Sequence, residues 1–263
     1  MWKELFKDQI ALGLTQAVLV AALAIAVALI ARTRRIRILG EVSVALVRGL
    51  AQVVVVGAVL VLLLRGPRWT SVLMLSAMVV TAATISAQRS RKIPGVFRIS
   101  LYSIAVGPGV VIALMTAAGV IGSAVTQVVP IGSMLIANAM NSNSLAMNRF
   151  RADVEARVGE IESALALGAS ARTAVQRQSE AAFRSSLIPA IDSLRSLGIV
   201  WIPGLMAGMV LSGSPPIYAA IYQFVLIAML FAASGLTCLV GTLLVRGCAF
   251  TPAEQLLLRP AGK

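Results

Sequence analysis

Few side chains in this sequence can do chemistry, and those that can sit inside long apolar runs. Arg48 follows Glu41 by about two helical turns and Gln52 lies four residues beyond it, so the three can share one helix face. Asp192 and Arg195 are three apart and can pair locally; Asp192 can alternatively pair with Arg48 across helices. An ionisable group buried in lipid is costly, which makes such residues candidates for cargo contact or gating. Their other reading is structural, with pairing near an interface and Arg48 reaching outward to water. Asn138, Asn141 and Asn143 follow Pro130 and either hydrogen-bond to neighbouring helices or line a path. Pro203 and Gly204 can break a helix where it borders a cavity. Met206 and Met209 share a face just beyond; their thioethers suit soft Cu(I), or simply pack.

Other chemistries lack their residues. There is no histidine, and the two cysteines, Cys238 and Cys248, lie in an apolar span and the segment after it, so neither a His-based zinc site nor a structural disulfide is expected. No nucleophile–base constellation is present, and no acidic cluster forms a metal-ligand set, so any metal site is left unassigned. Only 13% of residues are charged, about half the share in soluble domains. The net charge of +13 does not signal nucleic acid, because the basic residues form no face interleaved with aromatics.

The elements that must hold these residues are membrane helices. Crossing the hydrocarbon core takes about 20 apolar residues. The stretches that qualify are 10–31, 42–64, 70–87, 99–119, 125–147, 187–211 and 217–245, which predicts an all-α, polytopic, single-domain chain with seven spans. The first run is followed by Arg32, Arg34, Arg35 and Arg37, a stop-transfer signal rather than a cleavage site. These four, with Arg89, Arg91, Lys92, Arg98, Arg149, Arg151, Arg157, Arg172, Arg177, Arg184, Arg246, Arg259 and Lys263, fall on one side of that topology. Lys3, Lys7, Arg65 and Arg68 fall on the other. The imbalance predicts an outside N-terminus and a cytoplasmic C-terminus.

A polar insert, residues 148–186, interrupts the apolar pattern on the cytoplasmic side. Val154, Val158, Ile161 and Leu165 recur at helical spacing, which predicts an amphipathic helix from about Asp153 to Leu167. Gly168 supplies the left-handed residue that ends a helix, and Ser170 can cap a second one running from Ala171 towards Ser186. The expected product is a helical hairpin whose tip carries Glu162, Ala164, Leu167, Gly168, Ala169 and Ser170. By pattern alone it lies on the membrane surface or receives a soluble partner in its small-residue corner. The spacing Glu162-x-Ala164-x-x-x-Gly168 resembles the ATPase-docking loop of ABC-transporter permeases, with Ser163 where importers carry alanine.

Over nearly the whole length the chain resembles the FetB-type permeases associated with bacterial iron export. The likeness rests on Arg48-Gly49-Leu50-Ala51-Gln52 with Gly57; Val129-Pro130-Ile131-Gly132 leading to Asn138-Ala139-Met140; Leu167-Gly168-Ala169-Ser170; Leu187 to Ser193; Pro203 to Gly208; and Tyr222-Gln223. The resemblance implies the permease subunit of an inner-membrane ABC exporter. A Gly-x-x-x-x-Gly-Lys-Ser/Thr phosphate loop does not occur here, so a partner ATPase subunit would bind Mg-ATP and this chain would hold no cofactor. The family-like assembly is a permease homodimer with two ATPases in a lipid bilayer. The cargo it implies is iron, with another metal or a nucleotide sugar as alternatives. The rival that needs no resemblance is an ATPase-independent secondary transporter or scaffold.

Overall fold

The computed structural model describes residues 9–34, 36, 38–64, 67, 69–122, 124–251 and 253–258. Lys3, Lys7, Arg35, Arg37, Arg65, Arg68, Arg259 and Lys263, which enter the orientation argument, lie outside the described residues. Among the described residues the chain is helical: α1 (Gln9–Thr33), α2 (Leu39–Leu64), α3 (Trp69–Arg89), α4 (Val96–Ala117), α5 (Val125–Ala156), α6 (Val158–Ala166), α7 (Ala171–Ala174), α8 (Gln176–Ser196), α9 (Gly204–Leu211) and α10 (Pro216–Cys248). Five of these, α1 to α4 and α10, are long and apolar enough to cross a bilayer. α5 and α8 have the length but a more polar sequence, so the expected count of seven is not reached by apolar helices alone.

The chain divides into two compact units, Met1–Gly66 and Pro67–Lys263. In the first, α1 and α2 pack together and bury little among the described residues: Ala28 is buried, while Leu14, Val18, Val44, Val47 and Val53 are exposed. Helices that are apolar all round and still exposed are built for lipid.

In the second unit α10 is the central post, packed on α4, α5, α8 and α9, and α3 packs on α4 and α5. Without a hydrophobic force between helices in lipid, close packing and interhelical hydrogen bonds hold such a bundle. Gly107 shows the first device: a β-carbon there would overlap Thr237 Oγ1 and lie 2.6 Å from the Ala233 carbonyl oxygen. Asn143 shows the second. Its amide donates to Ser86 Oγ and Ser100 Oγ, both at 3.0 Å, tying α5 to α3 and α4. Its Oδ1 sits where a β-carbon at Gly241 would come within 2.7 Å.

The stretch 187–211 is not one span. α8 starts eleven residues earlier, at Gln176, passes through Pro189 and ends at Ser196. Gly198, with φ of 77°, turns the chain and its N–H bonds to the Trp201 carbonyl at 3.1 Å. Pro203 then starts α9, whose eight residues rise only about 12 Å, too short to cross. A left-handed glycine followed by a proline five residues on is what breaks the helix. The fifth stretch, by contrast, extends without interruption: Pro130 lies within the opening turns of α5, which continues to Ala156.

Candidate functional site

The polar insert folds as a hairpin built from the ends of bundle helices. α5 supplies its first leg, so the expected helix from Asp153 to Leu167 is instead divided at Arg157 between α5 and α6. The expected helix from Ala171 to Ser186 is divided at Val175 between α7 and α8. Between the legs lies a tight corner. Gly168 has φ of 89°, its N–H bonds to the Leu165 carbonyl at 2.9 Å, and the Ala169 N–H bonds to the Ala164 carbonyl at 3.0 Å. This pair of bonds is the Schellman ending that a left-handed glycine permits. Ser170 Oγ accepts from the Thr173 N–H at 3.4 Å and caps α7. The geometry pushes Leu167 outward to 89% exposure, while Ala164 and Ala169 keep the corner slim. Glu162 is exposed on the preceding turn.

Below the tip the hairpin is anchored. Val154 and Ile161 are buried, with Val158 and Leu165 packed against the same core, which also holds Phe150, Val175 and Val245. The segment after α10 contributes as well: Phe250 bridges to Leu256, and Leu256 and Leu258 are buried in that core. Leu256 and Leu258, two apart on either side of the exposed Leu257, share one inward face.

A second feature sits at the helix break. A cavity of about 290 Å³ opens between α5, α8, the break and α10. Asn138, Pro203 and Gly204 line it, with Ser193, Trp201 and Gln223. Gln223 is 3% exposed and its Oε1 has no hydrogen-bond partner. Asn138 donates to the Met134 carbonyl at 3.2 Å. The cavity therefore offers amides, a hydroxyl and an indole, but no carboxylate. Among the described residues no three His, Cys, Asp or Glu side chains converge on a metal position.

The other candidates lie elsewhere. Met206 and Met209 are on α9 and do not line this cavity. Asp192 faces outward, 62% exposed, with Arg195 at 4.0 Å, so its pairing is local. Arg48 and Gln52 are exposed on α2, in the first unit. Asn141 Oδ1 accepts from Arg89 at 3.3 Å, and Asn148 Oδ1 from Ser90 at 3.2 Å, which extends the α3–α5 seam begun by Asn143. Gln223 entered the sequence reading only as part of a resemblance. Its signal, a lone amide inside an apolar span, was available in the residue pattern.

Long apolar helices, a polar hairpin at one end of the bundle and a cavity at a helix break define a polytopic membrane protein. The chain belongs to the uncharacterised protein family UPF0014, whose sequence profile matches residues 14–250. The UPF0014 membrane protein STAR2 of rice (Oryza sativa subsp. japonica) is 35% identical over 68% of this chain and 63% of its own length. Protein ALUMINUM SENSITIVE 3 of Arabidopsis thaliana is 32% identical over 70% of this chain and 68% of its own. The probable iron export permease protein FetB of Escherichia coli (strain K12) is 30% identical over 72% and 73%. The chain thus spans a little under two thirds of the rice relative. No solved structure matches it.

Proposed function

We propose that this chain is the permease subunit of an ABC transporter, exporting a metal ion and driven by a separate ATPase subunit docked on the corner Glu162–Ser170. The observation that carries the reading is Leu167, a large apolar side chain 89% exposed on a rigid polar hairpin. An apolar knob at such a tip suits a groove on a soluble partner. The core beneath it reaches α10 through Val245, and α10 also lines the cavity through Gln223. Movement of the hairpin on ATP binding would thus be felt at the helix break, where cargo access changes sides. ATP is coupled to transport only if the two states bind cargo differently. The assembly is a homodimer with two ATPases, each holding Mg-ATP, in the bacterial inner membrane with the hairpin and C-terminus in the cytoplasm.

Iron is the first cargo to test, because a relative is named as a probable iron export permease. The amide and hydroxyl lining of the cavity suits a cation that keeps its own water or chelator shell, since bare hard cations are held by carboxylates. The same lining favours a second reading, an uncharged or chelated polar cargo. Co-purification from native membranes tests the coupling: an ATPase should travel with wild type and be lost from Gly168→Trp. Its absence from both would leave the secondary-transporter rival. Uptake into inverted vesicles of iron as free Fe²⁺ against its citrate complex then separates the cargo forms.

A further inference from the structure

Where α5 hands over to the hairpin, a second, smaller cavity of about 100 Å³ lies between α5 and the first turns of α8. It is lined by Arg149, Asp153, Arg157, Arg177, Gln178 and Ala181. Asp153 is committed to Arg149, with Oδ2 3.0 Å from its Nε. Among the described residues Arg157 pairs with Glu160 at 3.8 Å, both more than half exposed. Arg177 has no ion pair among the described residues. Three guanidinium groups thus face one carboxylate around a space that would hold several waters or one tetrahedral oxyanion. Beside them Gln178 is 6% exposed, and its Oε1 is buried with no hydrogen-bond partner. A topology signal needs arginines only to lie in the loop; it does not gather them around one cavity with a buried amide in its wall.

We infer that this cavity binds a phosphate group. Guanidinium forks match phosphate oxygens and retain their charge at every physiological pH. Two sources share that chemistry: hydrogen phosphate in solution and the headgroup of phosphatidylglycerol, an anionic lipid of the kind basic pockets at membrane faces recognise. Because the cavity joins α5 to α8, the anion ties the two legs of the hairpin together. This inference does not depend on which cargo or partner the protein has.

The test uses the full chain purified in dodecyl maltoside at neutral pH and constant ionic strength. Melting temperature is followed against sodium phosphate and sodium sulfate, and native mass spectrometry compares retention of dioleoylphosphatidylglycerol and dioleoylphosphatidylcholine. Arg157→Gln and Arg177→Gln should each weaken binding about tenfold or more, the loss of one charge-assisted contact. Arg184→Gln, an exposed α8 arginine outside the cavity, should bind as wild type. A phosphate response without lipid retention assigns the site to the free anion; retention of phosphatidylglycerol without a phosphate response assigns it to the headgroup. The inference is overturned if neither ligand binds, or if Arg157→Gln and Arg177→Gln bind as wild type does.

Discussion

Leu167 and Ile161 lie six residues apart on the same hairpin, yet their substitution by alanine should have opposite consequences. Ile161 is 1% exposed, in the core shared by Phe150, Val154 and Val175. Truncating it leaves a cavity that its rigid neighbours cannot fill, at a cost of about 2–5 kcal/mol in stability. Leu167 is 89% exposed, so its truncation removes almost no buried contact and should leave the melting temperature unchanged. If the tip inserts into an ATPase groove, docking buries the whole side chain, and losing it costs about 2 kcal/mol, or roughly thirtyfold in affinity. The assay pairs thermal unfolding of each variant in detergent with quantitative pull-down of the ATPase at graded concentrations. A Leu167→Ala protein that melts early would refute the placement of the corner. One that melts normally and retains the ATPase at full affinity would refute docking through this tip.

Three further substitutions probe the bundle. Gly107→Ala forces a β-carbon against the Ala233 carbonyl, a backbone group that cannot rotate away, and should lower stability by about 1–3 kcal/mol in thermal or denaturant unfolding. Gln223→Leu removes a buried acceptor that has no partner, so it should leave stability unchanged or raise it by about 1 kcal/mol while abolishing vesicle transport; a variant that transports normally would take the cavity out of the path. Leu256→Ala should lower the melting temperature, at a cost of about 2–5 kcal/mol, although the residue lies beyond the last helix; an unchanged melting curve would show that the segment does not brace the hairpin.

The parts of this fold that were legible in the sequence are those governed by local rules. Length and hydropathy locate α1 to α4 and α10 within a few residues, because each is one uninterrupted apolar run. The hairpin corner is equally readable, since Gly168 and Ser170 act through their own backbone and side chain within four residues. What escaped depends on tertiary choice. Hydropathy averages across Gly198 and Pro203, so 187–211 reads as one apolar stretch although the backbone turns inside it. The buried face of Leu256 and Leu258 exists only because the hairpin core is there to receive it.

The candidate site divides along the same line. Residue type alone flags Asn138, Asn141 and Asn143 equally, because each is an amide in an apolar span. Their roles separate only by direction around α5. Asn143 turns inward to Ser86 and Ser100, Asn141 meets Arg89, and Asn138, five residues before Asn143, reaches the cavity. Asp192 drew attention as a charge within an apolar stretch, but the helix that carries it ends four residues later, and an aspartate near such an end can face water. Gln223 is the reverse case: a neutral residue, named only for a resemblance, that α10, the post of the bundle, buries beside the break. Its oxygen is buried without a partner, as Asn143 Oδ1 is, so what sets Gln223 apart is its place in the cavity wall beside the break.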